Sequence, residues 1–528
     1  MMNANRWWQD AVFYQIYLPS FCDGNGDGLG DFTGLLTKID YLATLGVGAV
    51  WITPFYPSPL VDNGYDISDF CAVDPRFGQL ADFERVVEAC HRKGIRVVID
   101  LVINHVSSQH PWFVDAWNNP ASRYRDYFIF TSRPNNWRSF FSGSAWEKEP
   151  DTGEYYYHKF APEQVDLNWR NPEVEKEILR VIDFWRERGV DGFRFDVINF
   201  LTSDGVGEDN PERDGEQDHL HDINQPALLP TLRRLCRYIR ERGDYLLIGE
   251  IGSEDLAVLS CYQADDLMDV VFNFNLGSLK CWDLDAIVVQ LQAMREQQSG
   301  LPTLFFSSHD MPRMIGRFGE GERDVERAAA VAALQLTAFG MPFIYQGEEA
   351  GIGNYSPCTE RDIYDIQGKT WYHTALAQGM TAAQALEQAI THSRDASRAP
   401  LPWNSQPFAG FSCVPPWMPL RADFPQVNID AQMAASDSLW HVWRRLIALR
   451  KTSPALRHGA YRLLAKENDA LFFMRESAGE SVWVTINFGE PARNLWHEIP
   501  AQTVYGADDL WIQKNQCVIK RSSHGKAQ

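Results

Sequence analysis

Gly192-Phe-Arg-Phe-Asp196, together with the residues on either side of it, decides the fold. Before it runs Val174–Arg188, in which Val174, Ile178, Val181, Ile182 and Trp185 recur at spacings of three and four with charges elsewhere, and Gly189 closes the segment. That spacing predicts an amphipathic helix leading into a buried strand. The alternation extends in both directions. Candidate strands are Ala11–Tyr17, Ala49–Thr53, Val97–Ile103, Gly192–Asp196, Tyr245–Glu250, Val270–Phe274, Thr303–Ser308 and Pro342–Gly347. Helical stretches such as Asp82–Lys93, ended by Gly94, lie between them. Continuous apolar strands suit a parallel sheet covered on both faces. Eight strand–helix units therefore predict an α/β fold, a (β/α)8 TIM barrel.

Two long stretches interrupt the pattern. From Asn104 to Asn171, after the third strand, the chain is rich in Trp, Tyr, Asn and Pro with little helical periodicity, which predicts a small irregular inserted domain. A second insertion follows the eighth strand, from Gly353 to Phe424. After a helix at Leu439–Arg450, alternating strands at Leu471–Arg475 and Ser481–Asn487 predict a separate C-terminal antiparallel β-domain. The expected division is barrel at 1–103 and 172–455, inserted domain at 104–171 and β-domain at 456–528.

Composition narrows the function classes. The 528 residues are 45% apolar and 23% charged, ordinary for a globular protein with a large core. A formal charge of −21 repels phosphate backbones and anionic lipid, so neither nucleic acid nor a membrane is an expected partner. A small oligosaccharide or disaccharide suits the generous aromatic content, although most of those rings are core. Met1–Asp10 holds no uninterrupted apolar run, and no stretch of about 18 apolar residues occurs, so neither a leader nor a membrane span is expected. Nine cysteines without a C-x-x-C pair fit a reducing, cytoplasmic compartment and no structural zinc. A monomer or weak homo-oligomer is expected.

In a barrel of this kind chemistry sits at the C-terminal strand ends. Three acids fall there: Asp196 closing Gly-Phe-Arg-Phe-Asp, Glu250 closing Leu-Leu-Ile-Gly-Glu, and Asp310 just past Phe-Phe-Ser-Ser-His. Two carboxylates facing each other about 5–5.5 Å apart carry out retaining glycoside hydrolysis, one attacking the anomeric carbon and the other serving as acid and then base. The proton donor needs a raised pKa, which burial and nearby negative charge supply. Arg194, two residues before Asp196 and on the same strand face, is placed to keep that carboxylate ionised. No H-E-x-x-H spacing supports a zinc hydrolase.

Other segments stand in a telling order: Ala11-Val-Phe-Tyr-Gln-Ile-Tyr17, Asn63-Gly-Tyr-Asp-Ile-Ser-Asp69, Asp100-Leu-Val-Ile-Asn-His105, Gly249-Glu250, His309-Asp-Met-Pro-Arg313 and Tyr345-Gln-Gly-Glu-Glu349. With them the chain resembles the alpha-amylase family of glycoside hydrolases (family 13), in its alpha-glucosidase and oligo-1,6-glucosidase branch. The resemblance implies Asp196 as nucleophile, Glu250 as general acid/base and Asp310 as the carboxylate that binds ring hydroxyls. It also implies that Asp66, His105, Arg194, His309 and Arg394 hold the non-reducing glucose, with Tyr65 beneath its ring and Arg398 as an alternative to Arg394. Val197, directly after the implied nucleophile, is the alpha-1,6-associated choice in that branch.

Asp23-Gly-Asn-Gly-Asp-Gly-Leu-Gly-Asp31 sets oxygens at Asp23, Asn25, Asp27 and Asp31, with the Leu29 carbonyl between them. Glycines allow the tight curl that converges such donors on one hard cation, with calcium in a structural role the best match. It is not an EF-hand, because the twelfth position is Gly34 and no paired helix precedes it. Similar loops in the resembling branch bind calcium.

The expected activity is hydrolysis of short alpha-glucosides, alpha-1,6-linked, by an exo-acting retaining enzyme. Departures from the branch pattern at Val165, Ser308, Ile251-Gly-Ser-Glu254 and Ile363–Gln378 bear on the leaving group. They leave transglycosylation or isomerisation, trehalose and a phosphorylated disaccharide as alternatives. A non-catalytic, transporter-associated barrel would need a membrane anchor and a missing carboxylate, and the sequence offers neither.

Overall fold

All eight expected strands form: β1 (Phe13–Ile16), β2 (Ala49–Ile52), β3 (Arg96–Leu101), β4 (Gly192–Phe195), β5 (Leu246–Gly249), β6 (Val270–Val271), β7 (Leu301–Leu304) and β8 (Met341–Tyr345). They close into a parallel barrel in the order β1-β8-β7-β6-β5-β4-β3-β2. The structure, a computed structural model, describes residues 6–150, 152–264, 266–298, 300–321 and 324–523. The first half of the Met1–Asp10 segment and the last five residues of the 456–528 division lie outside the described residues. Strand β6 is shorter than expected because Asn273 leaves the sheet and its side chain caps the helical turn Phe274–Gly277.

A period of two organises the barrel's interior. Phe13, Trp51, Val98, Ile248, Phe272 and Phe343 belong to one buried cluster that fills its lower part. Two residues further along the same inward tracks stand Gln15, Asp100 and Glu250, joined by Arg194 and Asp196 from β4. The apolar layer thus ends where the polar one begins, at the C-terminal mouth. Outside, α1 (Leu80–Arg92) and α2 (Pro172–Arg186) bury the faces their spacing predicts, including Phe83, Val86, Ile178 and Trp185. Helix α2 starts two residues before Val174, with Pro172 in its first turn and the Asn171 side chain accepting the Glu173 N–H.

The stretch after β3 is less irregular than the sequence suggests. His105–Ser107 pairs antiparallel with Gln164–Asp166, which pins both ends of the excursion to the barrel mouth. Between them lie a three-stranded sheet and a helix at Pro111–Asn118, whose His110 cap and Pro111 start it without a long amphipathic repeat. After β8 comes a helical hairpin, α3 (Ile366–Ala377) and α4 (Ala382–His392), closed on Ile363, Tyr372, Ala375, Ala385 and Ala389. No helix among the described residues is long and apolar enough to cross a membrane.

The C-terminal sheet is antiparallel, in the order β9 (Ala460–Glu467), β10 (Ala470–Ser477), β11 (Glu480–Asn487), then β13 (Gln516–Ser523) and, on the edge, β12 (Gln502–Tyr505). Arg475 on β10 ties it to the barrel. Its buried guanidinium donates to the Thr337, Ala338 and Gly459 carbonyls, at 2.9, 2.5 and 2.9 Å. Arg475→Ala leaves those carbonyls unpaired and is expected to cost about 2–4 kcal/mol, read as a lower midpoint in urea or heat. An unchanged midpoint would contradict this clamp.

Candidate active site

The site follows from strand register. Phe195 pairs with Leu101 on β3 and with Gly249 on β5, so the residues just beyond stand at one height. The Asp196 N–H donates to the Leu101 carbonyl and the Glu250 N–H to that of Phe195, fixing both acids side by side. One layer below, Arg194 is the register partner of Asp100. Its guanidinium, 2% exposed, lies 2.6 Å from Asp100 Oδ1, 2.6 Å from Asp196 Oδ1 and 2.5 Å from Glu250 Oε2. Glu250 Oε2 also accepts the N–H of Val197 at 3.1 Å. That bond holds Val197 in the left-handed region, at φ 39°, an unfavourable setting for a β-branched side chain.

Burial pushes Glu250 up to about 8, against the pull of Arg194 and with the help of the Asp196 and Asp310 charges. Asp196 is raised by burial to about 6, with Arg194 opposing. Neighbouring carboxylates are thereby separated into an acid and a base at neutral pH. For Asp310 burial works against ionisation, but His309, Arg398, Arg394 and Arg194 outweigh it and hold the group down to about 2. His309, pushed down to about 3 by burial, is neutral. Its Nδ1 accepts from the Gln15 amide at 2.6 Å, so Nε2 carries the proton, with Asp310 Oδ2 3.1 Å away. The Tyr65 hydroxyl meets the same Nε2 at 2.7 Å and reaches Asp100 at 3.3 Å.

Two arginines flank Asp310. Arg398 donates to Asp310 Oδ1 at 3.0 Å and to the His309 carbonyl at 2.8 Å. Arg394 stands 3.7 Å from Asp310 and bonds Asp62 and Asp365. Both of the alternatives in this segment therefore belong to the cluster, with Arg398 the nearer to Asp310. Asp66 needs correcting. The structure turns both its oxygens into its own loop, onto the Val61 and Asp62 N–H groups and the Ser58 hydroxyl. The loop acid that reaches the arginines is Asp62, which also takes a hydrogen bond from Gln164. Left-handed backbone at Asn63 and Gly64 reverses the chain between the two acids and gives them opposite aspects. His105, held neutral by burial with a pKa of about 4, contacts the Tyr65 carbonyl and the Gln164 amide, at the margin of the cluster.

Sequence reasoning missed Asp62, Asp100 and Asp365. Asp100 had a signal, a carboxylate set inside the apolar run Val97–Ile103 two residues from the mouth. Asp365 comes from a stretch without periodicity.

The Asp23–Asp31 loop lies apart from these acids in the contacts it makes. Asp23 accepts the Gly26 and Gly28 N–H groups and the Ser412 hydroxyl, while Asp31 accepts from Gly24, Asn25 and Gly34. Among the described residues no three acidic, histidine or cysteine side chains gather to hold an ion by themselves. An ion here would draw also on the Asn25 amide oxygen and the Leu29 carbonyl. The donor chemistry, hard oxygens on a glycine-rich curl, fits calcium.

Residues 15–459 match the model of the alpha amylase catalytic domain. The chain is 35% identical to an oligo-1,6-glucosidase of Parageobacillus thermoglucosidasius, over 96% of this chain and 94% of that protein. It is 37% identical to a trehalose-6-phosphate hydrolase of Escherichia coli, over 92% of each. The crystal structure of isomaltulose synthase from Klebsiella sp. LX3 superposes with a TM-score of 0.93 at 32% identity, covering 98% of this chain and 100% of that one. With a closed eight-stranded barrel, acids gathered at its mouth and likeness along nearly its whole length, the chain belongs to the alpha-amylase family.

Proposed function

We propose that the protein is a retaining, exo-acting alpha-glucosidase that hydrolyses short alpha-glucosides, with alpha-1,6 linkages preferred. A glycoside hydrolase of the alpha-glucosidase type is what its relatives' names support, and they divide over the substrate. The observation that carries the mechanism is the pairing of a protonated Glu250 with an ionised Asp196 on adjacent strand ends. Asp196 attacks the anomeric carbon while Glu250 gives its proton to the departing glycosidic oxygen. Glu250, now a carboxylate, takes a proton from water, which displaces Asp196 and releases glucose with its configuration retained. Asp310, kept anionic by Arg398 and Arg394, binds ring hydroxyls and favours the cationic transition state. Arg194 orients both reacting acids.

Val197 supports the alpha-1,6 preference, since it adjoins Asp196 and packs against the cluster of Phe141, Phe160, Ala161 and Phe200. The Asp23–Asp31 loop takes a calcium ion that stiffens the barrel's rim, outside the bond-breaking steps. Nine unpaired cysteines support a cytoplasmic setting. The likeness to isomaltulose synthase favours glucosyl transfer as the second reading, in which a sugar hydroxyl replaces water.

A hydrolysis screen across glucose disaccharides of every linkage, with product analysis, tests the proposal. Isomaltose cleaved to glucose at low concentration is expected; a dominant transfer product there, or faster cleavage of a phosphorylated disaccharide, would replace this reading. The kcat/KM profile should be a bell, falling below about pH 6 as Asp196 gains a proton and above about pH 8 as Glu250 loses its own. Glu250→Gln should abolish the alkaline limb and lower turnover roughly 10²–10⁴-fold; a wild-type profile in that variant removes Glu250 from its role. Val197→Ala should raise the maltose-to-isomaltose rate ratio roughly tenfold, and an unmoved ratio would dismiss it as a determinant. Chelation should lower the melting temperature yet spare activity at moderate temperature; no change in melting would argue against the ion.

A further inference from the structure

The chain does not run straight from β4 to its next helix. After Asp196 and the turn Ile198–Phe200 it makes a long excursion, in which Glu212–Arg213 pairs with Glu216–Gln217, before the helix Leu228–Arg240 begins. The excursion is laid against the inserted domain. The Asn136 side-chain amide donates to the Asn210 carbonyl and accepts the Asn210 N–H, both at 2.8 Å. Trp137 Nε1 donates to the Glu208 carbonyl at 3.0 Å, and the Gln217 amide bonds the Asn136 carbonyl and the Arg138 N–H, each at 2.9 Å.

This seam closes on a buried ion pair. Lys159 Nζ, from the inserted domain, meets Asp222 Oδ2, from the excursion, at 2.6 Å, with the two side chains 1% and 0% exposed. Each partner is tied further into the seam. Lys159 Nζ donates to the Arg138 carbonyl at 3.2 Å, Asp222 Oδ1 accepts from the Asn210 amide at 3.0 Å, and His219 Nδ1 stands 3.1 Å from both Asp222 oxygens. Burial works against ionisation of Asp222, but His219 and Lys159 outweigh it and hold the group below the usual carboxylate range. A pair of this kind adds little net stability, because both ions give up water. Separating its partners strands a charge in a dry place, so it enforces one register between the segments that carry them.

What that register shapes is an aromatic cluster beside the reacting acids. Phe141, Phe160 and Ala161 of the cluster come from the inserted domain, whereas Phe200 and the Val197 packed on it come from the segment after Asp196. The Phe160 and Phe200 rings meet edge to face at 5.5 Å, and Lys159 Nζ lies 5.6 Å from the centre of the Phe200 ring. Around the site the cluster makes three approaches. The Phe141 ring is 5.5 Å from the Arg394 guanidinium carbon, the Phe160 ring is 5.5 Å from that of His105, and Val197 adjoins Asp196.

Resting on the glucosidase reading above, we propose that Lys159 and Asp222 are positioning residues: their ion pair sets the inserted domain and the segment after Asp196 in one register and so shapes the aromatic wall beside the nucleophile. The pair acts through Phe160 and Phe200 and not on the reacting acids. Its contribution is to substrate fit, so it is read in KM and in linkage preference, while both limbs of the pH profile stay in place.

The test uses Lys159→Met/Asp222→Asn, a double variant that leaves neither charge of the pair stranded. A melting temperature near that of the wild type, with KM for isomaltose raised about five- to tenfold, kcat within about twofold and the maltose-to-isomaltose rate ratio raised about threefold, is expected. An unmoved KM and ratio, or a loss confined to kcat, overturns the proposal. Asp222→Asn alone, which conserves size, should raise KM by a similar factor, and an unmoved KM there is equally fatal. Amide hydrogen exchange reads the register without turnover: peptides spanning 135–139 and 208–218 should exchange about tenfold faster in the double variant. Equal protection overturns the positioning role even if every alpha-glucoside proves inert. Faster exchange in the variant, beside a wild type that cleaves no alpha-glucoside, defeats the glucosidase reading alone.

Discussion

Arg194 is the interaction on which the site depends. A guanidinium removed from water carries a desolvation cost of several kcal/mol, and only close carboxylates offset it. Here three approach within hydrogen-bonding distance, from two neighbouring strands and the strand that bears Arg194 itself. One positive charge does not balance three negative ones, so the cluster is most stable with a proton retained somewhere. Glu250 retains it, because burial penalises its charge and Asp196 and Asp310 both lie close, while Arg194, which opposes both, is shared with two other acids. Glu250's raised pKa is therefore first a consequence of its dry setting and then of the charges counted within it.

That arrangement imposes a constraint on the backbone. For Glu250 to accept the Val197 N–H, the chain must turn sharply after Asp196, which places Val197 at φ 39° and ψ 45°. A left-handed setting costs an L-residue roughly 1–2 kcal/mol, more for a β-branched one. The turn persists because strands β4 and β5 hold its two sides, through the Ile198 N–H on the Glu250 carbonyl as well as the side-chain bond. Strain and register thus serve the same end, the fixed approach of Asp196 and Glu250.

Regular backbone geometry explains what is legible in the sequence. Period-two strands make the inward track readable, so acids closing apolar runs at Asp196 and Glu250 identify themselves as mouth residues from the order of amino acids alone. The same logic applied one layer deeper finds Asp100. Loops have no such rule. Asp62 and Asp66 are separated only by Asn63-Gly-Tyr65, and the left-handed turn at Asn63 and Gly64 decides which of them faces Arg394. Asp365 presents the same difficulty, since it stands at the start of α3 and its meaning comes from arginines some thirty positions later. Helices within the insertions escape for a related reason: Pro111–Asn118 is too short to display an amphipathic repeat.

Charge at the mouth also favours the proposed chemistry. Around the reacting position stand Asp62, Asp100, Asp196, Glu250, Asp310 and Asp365, against Arg194, Arg394 and Arg398. Even with Glu250 protonated the carboxylates outnumber the guanidinium groups. Such a surplus stabilises positive charge as it develops on a sugar ring and is already in place before the substrate arrives, so little reorganisation is needed at the transition state. The surplus raises the energy of any anionic group brought close, in keeping with a chain whose net charge is −21. Each arginine is held by carboxylates on both sides, which leaves none of the three free to neutralise an incoming phosphate without breaking a buried pair. One electrostatic design thereby suits the oxocarbenium-like transition state of the proposed reaction.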